Sequence, residues 1–382
     1  MGPASGGPFP SATSDQERGV RLVSFEVGTH FGPVRRIGAL LGGEPAEASQ
    51  IVDLNAAYGL LLQEGGDARW REIADVALPA DMIAFLEGGR QAMDRARKVL
   101  DFAQSAPEEA DGRRLIFDRS AIRLLAPVPR PRTVRDFSVY LEHMSTRSGT
   151  TEKAPPFYHF GVAYKGNPDA VYGPEDPLLW PDFTEALDPE LELCCVVGKK
   201  GRNLTEEEAA DHIAGFTIFC DGSARDVQSR EFLGPYKAKD FGTNLGPCLV
   251  TPDEFDETNA KAALRVNGET WWEGNTGESR NYLLHQLVAY ASDEETIHPG
   301  DVIAAGTIGL SCSVDSGKWI KPGDVVELWI QGIGAMNLTA KRTPRELSYV
   351  RDGMKGRLEV PESARDYPQR LKDGTAPALR RG

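Results

Sequence analysis

The fold of this chain is decided by residues 187–198, which read LDPELELCCVVG. Apolar and β-branched residues that end on a glycine predict a β-strand. Residues two apart on a strand point to the same face, so the carboxylates of Glu190 and Glu192 project together. Two like charges on the inward face of an apolar strand are costly unless a cation neutralises them. The pair therefore indicates a site for a divalent cation; the alternative is a solvated strand face with two surface glutamates.

A second apolar run, residues 216–220, ends at Asp221 and would carry a third acid to the same place. Hard divalent cations prefer oxygen ligands, and Asp221 would add one to the glutamate pair. A helix is predicted between the two strands, over 205–214, because Thr205 and Glu208 have the spacing of a capping box and Gly215 follows. With Asp221 added, we favour the metal site over the solvated strand face.

Composition narrows the class of protein. The chain has 382 residues, 40% of them hydrophobic, and a net charge of -14, which argues against a nucleic-acid partner. No apolar run reaches the roughly 18–20 residues that span a bilayer, so no membrane segment is expected. The five cysteines form no CxxC pair and lie mostly in apolar runs, which predicts a reducing, cytoplasmic location without disulfides.

Changes in composition divide the chain into four segments. Residues 1–19, rich in Gly, Pro and Ser, are predicted to be a disordered leader. Residues 20–118 are predicted to form a small, strand-rich N-terminal domain with packed helices, one of them capped by Asn55. A proline-rich connector leads into a larger catalytic domain, residues 119–345. Residues 346–382 are predicted to be a charged surface tail.

Several separated motifs resemble the fumarylacetoacetate hydrolase family, in the family's order. They are Glu190-Leu-Glu192, the run SARDVQ at 223–228, LGP at 233–235, KDFGT at 239–243, and Gly306-Thr307. The resemblance spans roughly residues 120–335. It implies an α+β, mainly β fold, in which a mixed β-roll or β-sandwich catalytic domain follows a small strand-rich N-terminal domain. It also implies Mg²⁺, Mn²⁺ or Ca²⁺ as cofactor, a 1,3-diketo or acylpyruvate-like acid as substrate, and a homodimer.

The resemblance also implies roles for individual residues. It assigns Asp136, Glu190, Glu192 and Asp221 to the metal, His143 to catalysis, and Lys239, Gln228, Tyr164 and Thr307 to contacts with substrate or oxyanion. Phe232 and Ser138 stand where the family carries substrate-binding tyrosines, which puts the natural substrate in doubt. The run 308–315 offers no obvious match to the glutamate that partners the family's histidine, so Glu142 or another nearby acid is expected to substitute.

The residues themselves support several of these roles. Of the six histidines, His143 is the best candidate for a general base, because it lies seven residues after Asp136 in a Ser/Gly-flanked segment. The alternative is a surface histidine on a lid helix. Lys239, in a Gly/Pro-rich loop, is predicted to donate to a developing oxyanion, or is a solvated lysine. Arg225 and Asp226 are predicted to form a structural ion pair.

The predicted function is a metal-dependent hydrolase that cleaves a C–C bond in a β-diketo or acylpyruvate-type acid. In this hypothesis His143 activates water against a metal-chelated diketo group, and Lys239 with Gln228 stabilises the oxyanion. One alternative is a decarboxylase, dehydratase or isomerase that acts on a 2-oxo acid through the same enolate. The other is a metal-stabilised binding protein without turnover.

Overall fold

The structure is a computed structural model, which describes residues 19–42, 45, 48–148, 161–231, 234–345 and 350. The predicted leader and tail lie outside these residues, apart from Gly19 and Val350, and so does Phe232. No helix in the described residues is both long and apolar enough to cross a membrane.

Strands dominate the described part of the chain, which confirms the mainly β class. The strands are β1 (Arg21–Thr29), β2 (Gly32–Leu41), β3 (Gln50–Asp53), β4 (Glu109–Ala110), β5 (Arg113–Arg114), β6 (Ile116–Asp118), β7 (Arg123–Leu124), β8 (Val134–Phe137), β9 (Ala163–Gly166), β10 (Val171–Tyr172), β11 (Leu178–Pro181), β12 (Leu187–Val197), β13 (Ile213–Ala224), β14 (Thr243–Val250), β15 (Lys261–Val266), β16 (Glu269–Asn275), β17 (Val302–Thr307), β18 (Val325–Ile330) and β19 (Gly334–Thr343). The helices are α1 (Leu54–Glu64), α2 (Trp70–Ala77), α3 (Met82–Glu87), α4 (Gly89–Ala103), α5 (Leu141–Ser148), α6 (Glu206–Ala210), α7 (Arg225–Gln228), α8 (Leu284–Ser292) and α9 (Ser313–Ser316).

Most strands belong to two sheets, and both sheets contain parallel as well as antiparallel pairs. The larger sheet has the order β6-β3-β2-β1-β14-β13-β12-β17-β8-β9, with β7 and β10 paired beside it. The smaller sheet has the order β11-β19-β18-β15-β16. Because β1 pairs with β14, the strands of the N-terminal segment continue the sheet of the following segment. The division into domains at residue 118 stays a prediction.

Strand β12 lies at the centre of the larger sheet, and the strand predicted at 187–197 is confirmed. All eleven of its residues are buried, and it pairs with β13 on one side and β17 on the other. The odd-numbered Leu191 and Leu193 pack into one hydrophobic core, whereas Cys194 and Val196 pack into the other. Glu190 and Glu192 have the parity of the second set, so they share one face of the strand. That face is buried, and the solvated alternative is wrong.

Three local predictions need correction. The side chain that caps α1 is Asp53, which accepts a hydrogen bond from the Ala56 backbone, and not Asn55. The capping box of Thr205 and Glu208 is present, but α6 ends at Ala210 because the chain enters β13 at Ile213, where it pairs with Val197. Strand β13 also continues past Asp221 to Ala224, so this acid lies within the strand and not at its end.

Candidate active site

Five neighbouring strands of the larger sheet bring the predicted site residues together. Reading across β13, β12, β17, β8 and β9, they carry Asp221, then Glu190 and Glu192, then Thr307, Asp136 and Tyr164. The register places Glu190 opposite Asp221, Glu192 opposite Thr307, and Asp136 opposite Tyr164. Directly opposed residues have neighbouring Cβ atoms, so pairing alone assembles most of the site.

Three of the four predicted metal ligands form one cluster, the oxygen trio of Asp136, Glu192 and Asp221. Each contributes a carboxylate oxygen, and these oxygens lie within 4.8 Å of one another. All three residues are buried. Three acids held together away from water repel one another strongly unless protons or a cation compensate.

The oxygen trio has the character of an incomplete ligand set. Within the described part of the chain, Asp136 Oδ1, Glu192 Oε2 and Asp221 Oδ1 are buried without a hydrogen-bond partner. Burial raises the pKa of all three carboxyls, and the trio's mutual repulsion raises those of Asp136 and Glu192 further. Buried carboxylates without partners are the oxygen donors that a hard divalent cation takes. The residues present therefore fit such an ion.

Glu190 lies beside the trio in different surroundings, which we call the Glu190 cage. Its carboxylate accepts four hydrogen bonds, from Ser223 Oγ (2.7 Å), Arg225 Nη2 (2.5 Å), Lys239 Nζ (2.6 Å) and Thr307 Oγ1 (2.6 Å). Burial opposes ionisation of Glu190, but Arg225 and Lys239 hold its pKa well below the ordinary value. The chain itself neutralises this acid, and Glu190 could join a metal only by giving up some of these donors.

Lys239 links the two clusters. Its ammonium group bonds to Glu190 and also to Asp221, and it lies 5.2 Å from the centre of the Tyr164 ring. Burial alone would lower the pKa of this lysine, but the carboxylates of Asp221 and Glu190 raise it above the ordinary value. The solvated alternative is therefore wrong: Lys239 is a buried donor at the centre of the site, and its raised pKa favours the charged ammonium.

His143 lies on α5 with an acid at each side of its ring. Its Nδ1 is 2.6 Å from Oδ2 of Asp315, and its Nε2 is 3.4 Å from Oε1 of Glu190. The side chain is buried, which excludes the surface-histidine alternative. A ring nitrogen fixed by a carboxylate sets the tautomer and orients the other nitrogen, the arrangement of a general base.

The acidic partner of His143 is Asp315, which the sequence analysis did not identify. The expectation for Glu142 is wrong, because that side chain points elsewhere and accepts a hydrogen bond from Ser279. Asp315 is delivered by α9, whose first backbone amide donates to Asp188 Oδ1 at 2.5 Å. Asp188 belongs to β12, so the strand that carries the acids also fixes the helical turn of Asp315. The available signal was Asp315 itself, the only acid in the run 308–315.

The remaining predicted residues surround the Glu190 cage. Arg225 does not pair with Asp226: its guanidinium binds Asp188 and Glu190, and Asp226 accepts from Thr184 instead. The side-chain oxygen of Gln228 accepts from Arg225. Tyr164 is held in the site by its strand, and burial raises the pKa of its hydroxyl. Roles of Gln228, Tyr164, Thr307 and Phe232 in substrate binding stay predictions.

Comparison with known proteins gives the chain a family. The model of the fumarylacetoacetate (FAA) hydrolase C-terminal domain matches residues 132–340. A mitochondrial oxaloacetate tautomerase of Xenopus laevis is 34% identical over 287 residues, which cover 73% of this chain and 84% of that protein. A mitochondrial oxaloacetate tautomerase of Homo sapiens is 32% identical over 327 residues, which cover 84% of this chain and 91% of that protein.

Solved structures agree at the level of the fold. The fumarylacetoacetate hydrolase of Exiguobacterium antarcticum superposes with a TM-score of 0.60 at 24% identity, covering 85% of this chain and all of that one. A maleylpyruvate hydrolase from Sphingobium sp. SYK-6, in complex with manganese(II) and pyruvate, gives a TM-score of 0.60 at 21% identity with the same coverage. With its strand-borne acids and its family match over more than half of its length, this chain belongs to the fumarylacetoacetate hydrolase family.

Proposed function

We propose that this protein is a divalent-metal-dependent isomerase that interconverts the keto and enol forms of an oxaloacetate-type 2-oxo acid. The proposal favours the isomerase alternative over the hydrolase predicted first. It is supported by the relatives that are named oxaloacetate tautomerases and align with most of the chain. Mg²⁺ or Mn²⁺ is the proposed cofactor, with Ca²⁺ as a further candidate, and the homodimer and the cytoplasmic location stay predictions.

The observation that carries the proposal is the set of buried oxygens on Asp136, Glu192 and Asp221 that have no hydrogen-bond partner among the described residues. A divalent cation held there would polarise the oxygens of a 2-oxo acid and acidify the C–H bond beside the keto carbon. Lys239 adds a fixed positive charge at the edge of the trio, next to Asp221. This combination favours an anionic, oxygen-rich substrate whose carbon acid ionises during the reaction.

His143 supplies the proton transfer in this proposal. With Nδ1 donating to Asp315, Nε2 carries the lone pair and can take the proton from the carbon beside the keto group. The ring then becomes a cation between Asp315 and Glu190, and both carboxylates stabilise it. Return of the same proton to the keto oxygen completes the enol, so nothing is consumed and no bond between heavy atoms breaks.

Hydrolysis of a C–C bond is the second candidate. The His143–Asp315 pair would serve equally to remove a proton from water, and the fold is shared with a maleylpyruvate hydrolase. Identity of 21% to that protein supports the fold alone, so we rank this candidate below tautomerisation.

The two candidates differ in their products. Purified protein with Mg²⁺ or Mn²⁺ is mixed with enol-oxaloacetate, and separately with acylpyruvates, while enol absorbance is followed and products are identified by NMR. We expect faster loss of the oxaloacetate enol with intact oxaloacetate as product, and loss of this activity in His143→Ala. Glu142→Gln, on the same helix, serves as the matched control and keeps the activity. Cleavage of acylpyruvates without any catalysis of tautomerisation would establish the hydrolase instead.

A further inference from the structure

A second set of ligand atoms lies next to the oxygen trio and differs from it in chemistry. Nδ1 of His143, Oδ2 of Asp315 and Sγ of Cys312 are separated by 2.6 Å (N to O), 3.1 Å (S to O) and 3.8 Å (S to N). Cys312 is fully buried, and the side chains of His143 and Asp315 are 6% and 1% exposed. Nitrogen, oxygen and sulfur donors thus converge on one point.

Two of these atoms are fixed relative to each other by local structure. Cys312 immediately precedes α9 and Asp315 lies three residues later, so their side chains fall on the same side of one helical turn. The turn is anchored to β12, because Asp188 accepts from the backbone amides of Ser313 and Val314. Only His143 comes from a different element, α5. The three side chains are therefore neighbours before any ion arrives, joined by hydrogen bonds that a metal would replace.

The spacing suits a small thiophilic cation. Zn²⁺ binds thiolate sulfur at about 2.3 Å and imidazole nitrogen or carboxylate oxygen at about 2.0–2.2 Å in a tetrahedron, which puts its ligand atoms roughly 3.3–3.6 Å apart. The three separations in the structure lie on both sides of that range, so shifts below about 1 Å would bring them into it. Sulfur and nitrogen donors select Zn²⁺ and similar ions, whereas an all-oxygen trio suits Mg²⁺ or Mn²⁺.

We propose that His143, Cys312 and Asp315 form a second metal site, for Zn²⁺ or another thiophilic cation, and that its occupation switches the enzyme off. The inhibitory part rests on the proposed function, because it requires that His143 transfers the proton; binding of the metal does not depend on that function.

Charge and protons balance in this site. Zn²⁺ meets one carboxylate and one thiolate, so the site becomes neutral once the Cys312 thiol has lost its proton to solvent. The ring of His143 stays neutral but changes tautomer, because Nδ1 must present its lone pair to the metal and the proton moves to Nε2. Glu190 faces Nε2 at 3.4 Å and keeps its own balance through Arg225 and Lys239. About one proton is released per metal ion.

The consequence for catalysis follows from the tautomer. The Nε2 atom that would accept the substrate proton carries a hydrogen when Nδ1 binds the metal, so the base would be blocked without displacing any ion that the oxygen trio holds. Excess Mg²⁺ should not relieve this inhibition, because the two ligand sets prefer different ions.

The test uses Co²⁺ as a spectroscopic substitute for Zn²⁺, added to protein that is saturated with Mg²⁺. A thiolate–cobalt charge-transfer band reports on sulfur ligation, which the oxygen trio cannot provide. We expect the band in the parent protein and also in the matched control Cys248→Ser, which changes a second buried cysteine whose thiol donates to the Ile333 carbonyl. Cys312→Ser should lose the band, and its affinity for Zn²⁺ should fall by about 100-fold.

Two outcomes would overturn parts of this proposal separately. Absence of the band in the folded parent protein, or an equal band in Cys312→Ser, shows that the second site does not exist. A band that appears in the parent without loss of activity refutes the switch but leaves the site standing. If the protein has no tautomerase activity at all, the band still reports on the site, so failure of the proposed function is recognised independently.

Discussion

Glu190 and Glu192 lie two residues apart on one face of β12, yet their surroundings are opposite. Glu190 accepts four hydrogen bonds, two of them from cations, and its pKa lies well below the ordinary value. Glu192 lies with Asp136 and Asp221, has a buried oxygen without a partner among the described residues, and its pKa lies well above the ordinary value. The chain neutralises one acid itself and leaves the other for a cation from outside.

The largest effect on activity is expected from Glu192→Gln. Loss of a ligand from the oxygen trio should remove the metal, and activity should fall by at least about 10³-fold, because a catalytic metal contributes several kcal/mol to the barrier. In metal-free protein the same variant should be more stable than the parent, since one buried repulsive charge is gone. Thermal unfolding with and without Mn²⁺, together with turnover, measures both effects. A variant that keeps its activity without metal would show that Glu192 does not act as a metal ligand.

The opposite change of stability is expected for Glu190→Gln. Removing this carboxylate leaves Arg225 and Lys239 buried with less compensation, and loss of one partner from a buried ion pair costs about 3–5 kcal/mol. Chemical denaturation of the metal-free variant should show that loss of unfolding free energy. Equal stability of the Glu190→Gln and Glu192→Gln proteins would mean that the two acids do not differ in the way described.

A smaller effect, confined to catalysis, is expected from Asp315→Asn. The amide is uncharged and can present its NH₂ group to Nδ1 as well as its oxygen, so it no longer fixes the tautomer of His143. General-base catalysis typically contributes 10²–10⁴-fold, and kcat should therefore fall by about 10²-fold. Affinity for Mg²⁺ or Mn²⁺ should hardly change, because Asp315 is not in the oxygen trio. Glu142→Gln is the control: its exposed hydrogen bond to Ser279 should be worth less than about 1 kcal/mol. An equal loss of kcat in both variants would show that Asp315 does not fix the tautomer of His143.

The smallest effect is a trend in the stability of the metal-free protein with pH. The pKa values of Asp136 and Glu192 in the folded state are raised above their ordinary values of 3.8 and 4.5. Groups with raised folded pKa values contribute stability below the unfolded pKa and lose it as pH rises through the folded pKa. Melting temperature should therefore fall as pH rises above roughly 5, and the fall should be weaker in Glu192→Gln and with saturating Mn²⁺. A flat profile in metal-free parent protein would argue against uncompensated acids.

The pattern of 187–198 is enough to predict a strand with two acids on one face, whereas a buried site is favoured over a solvated face only when Asp221 is added. A period of two is a local property, and it survives in the fold because β13 and β17 pair with both edges of β12. The same period could not distinguish Glu190 from Glu192. Their difference comes from Arg225, Lys239 and Thr307, which reach Glu190 from other parts of the chain through tertiary contacts.

The acidic partner of His143 could not be predicted from the sequence. The histidine was recognised by its spacing from Asp136, but its partner lies 172 residues away along the chain. In the fold, hydrogen bonds from the start of α9 to Asp188 help to bring that acid to the ring. The end of α6 could not be predicted for a similar reason. Thr205 and Glu208 predict where α6 begins, whereas its end at Ala210 depends on the pairing of β13 with β12.

The proposed metal site requires that a divalent ion, and not Lys239 alone, neutralises the oxygen trio. Anomalous diffraction from crystals grown with Mn²⁺ would show directly whether an ion binds at the oxygen trio. We expect one strong peak within bonding distance of carboxylate oxygens from Asp136, Glu192 and Asp221, and the same map shows whether Glu190 joins by releasing Lys239. A fully ordered site without a peak at the trio, at saturating Mn²⁺, would show that these three acids do not bind a divalent ion.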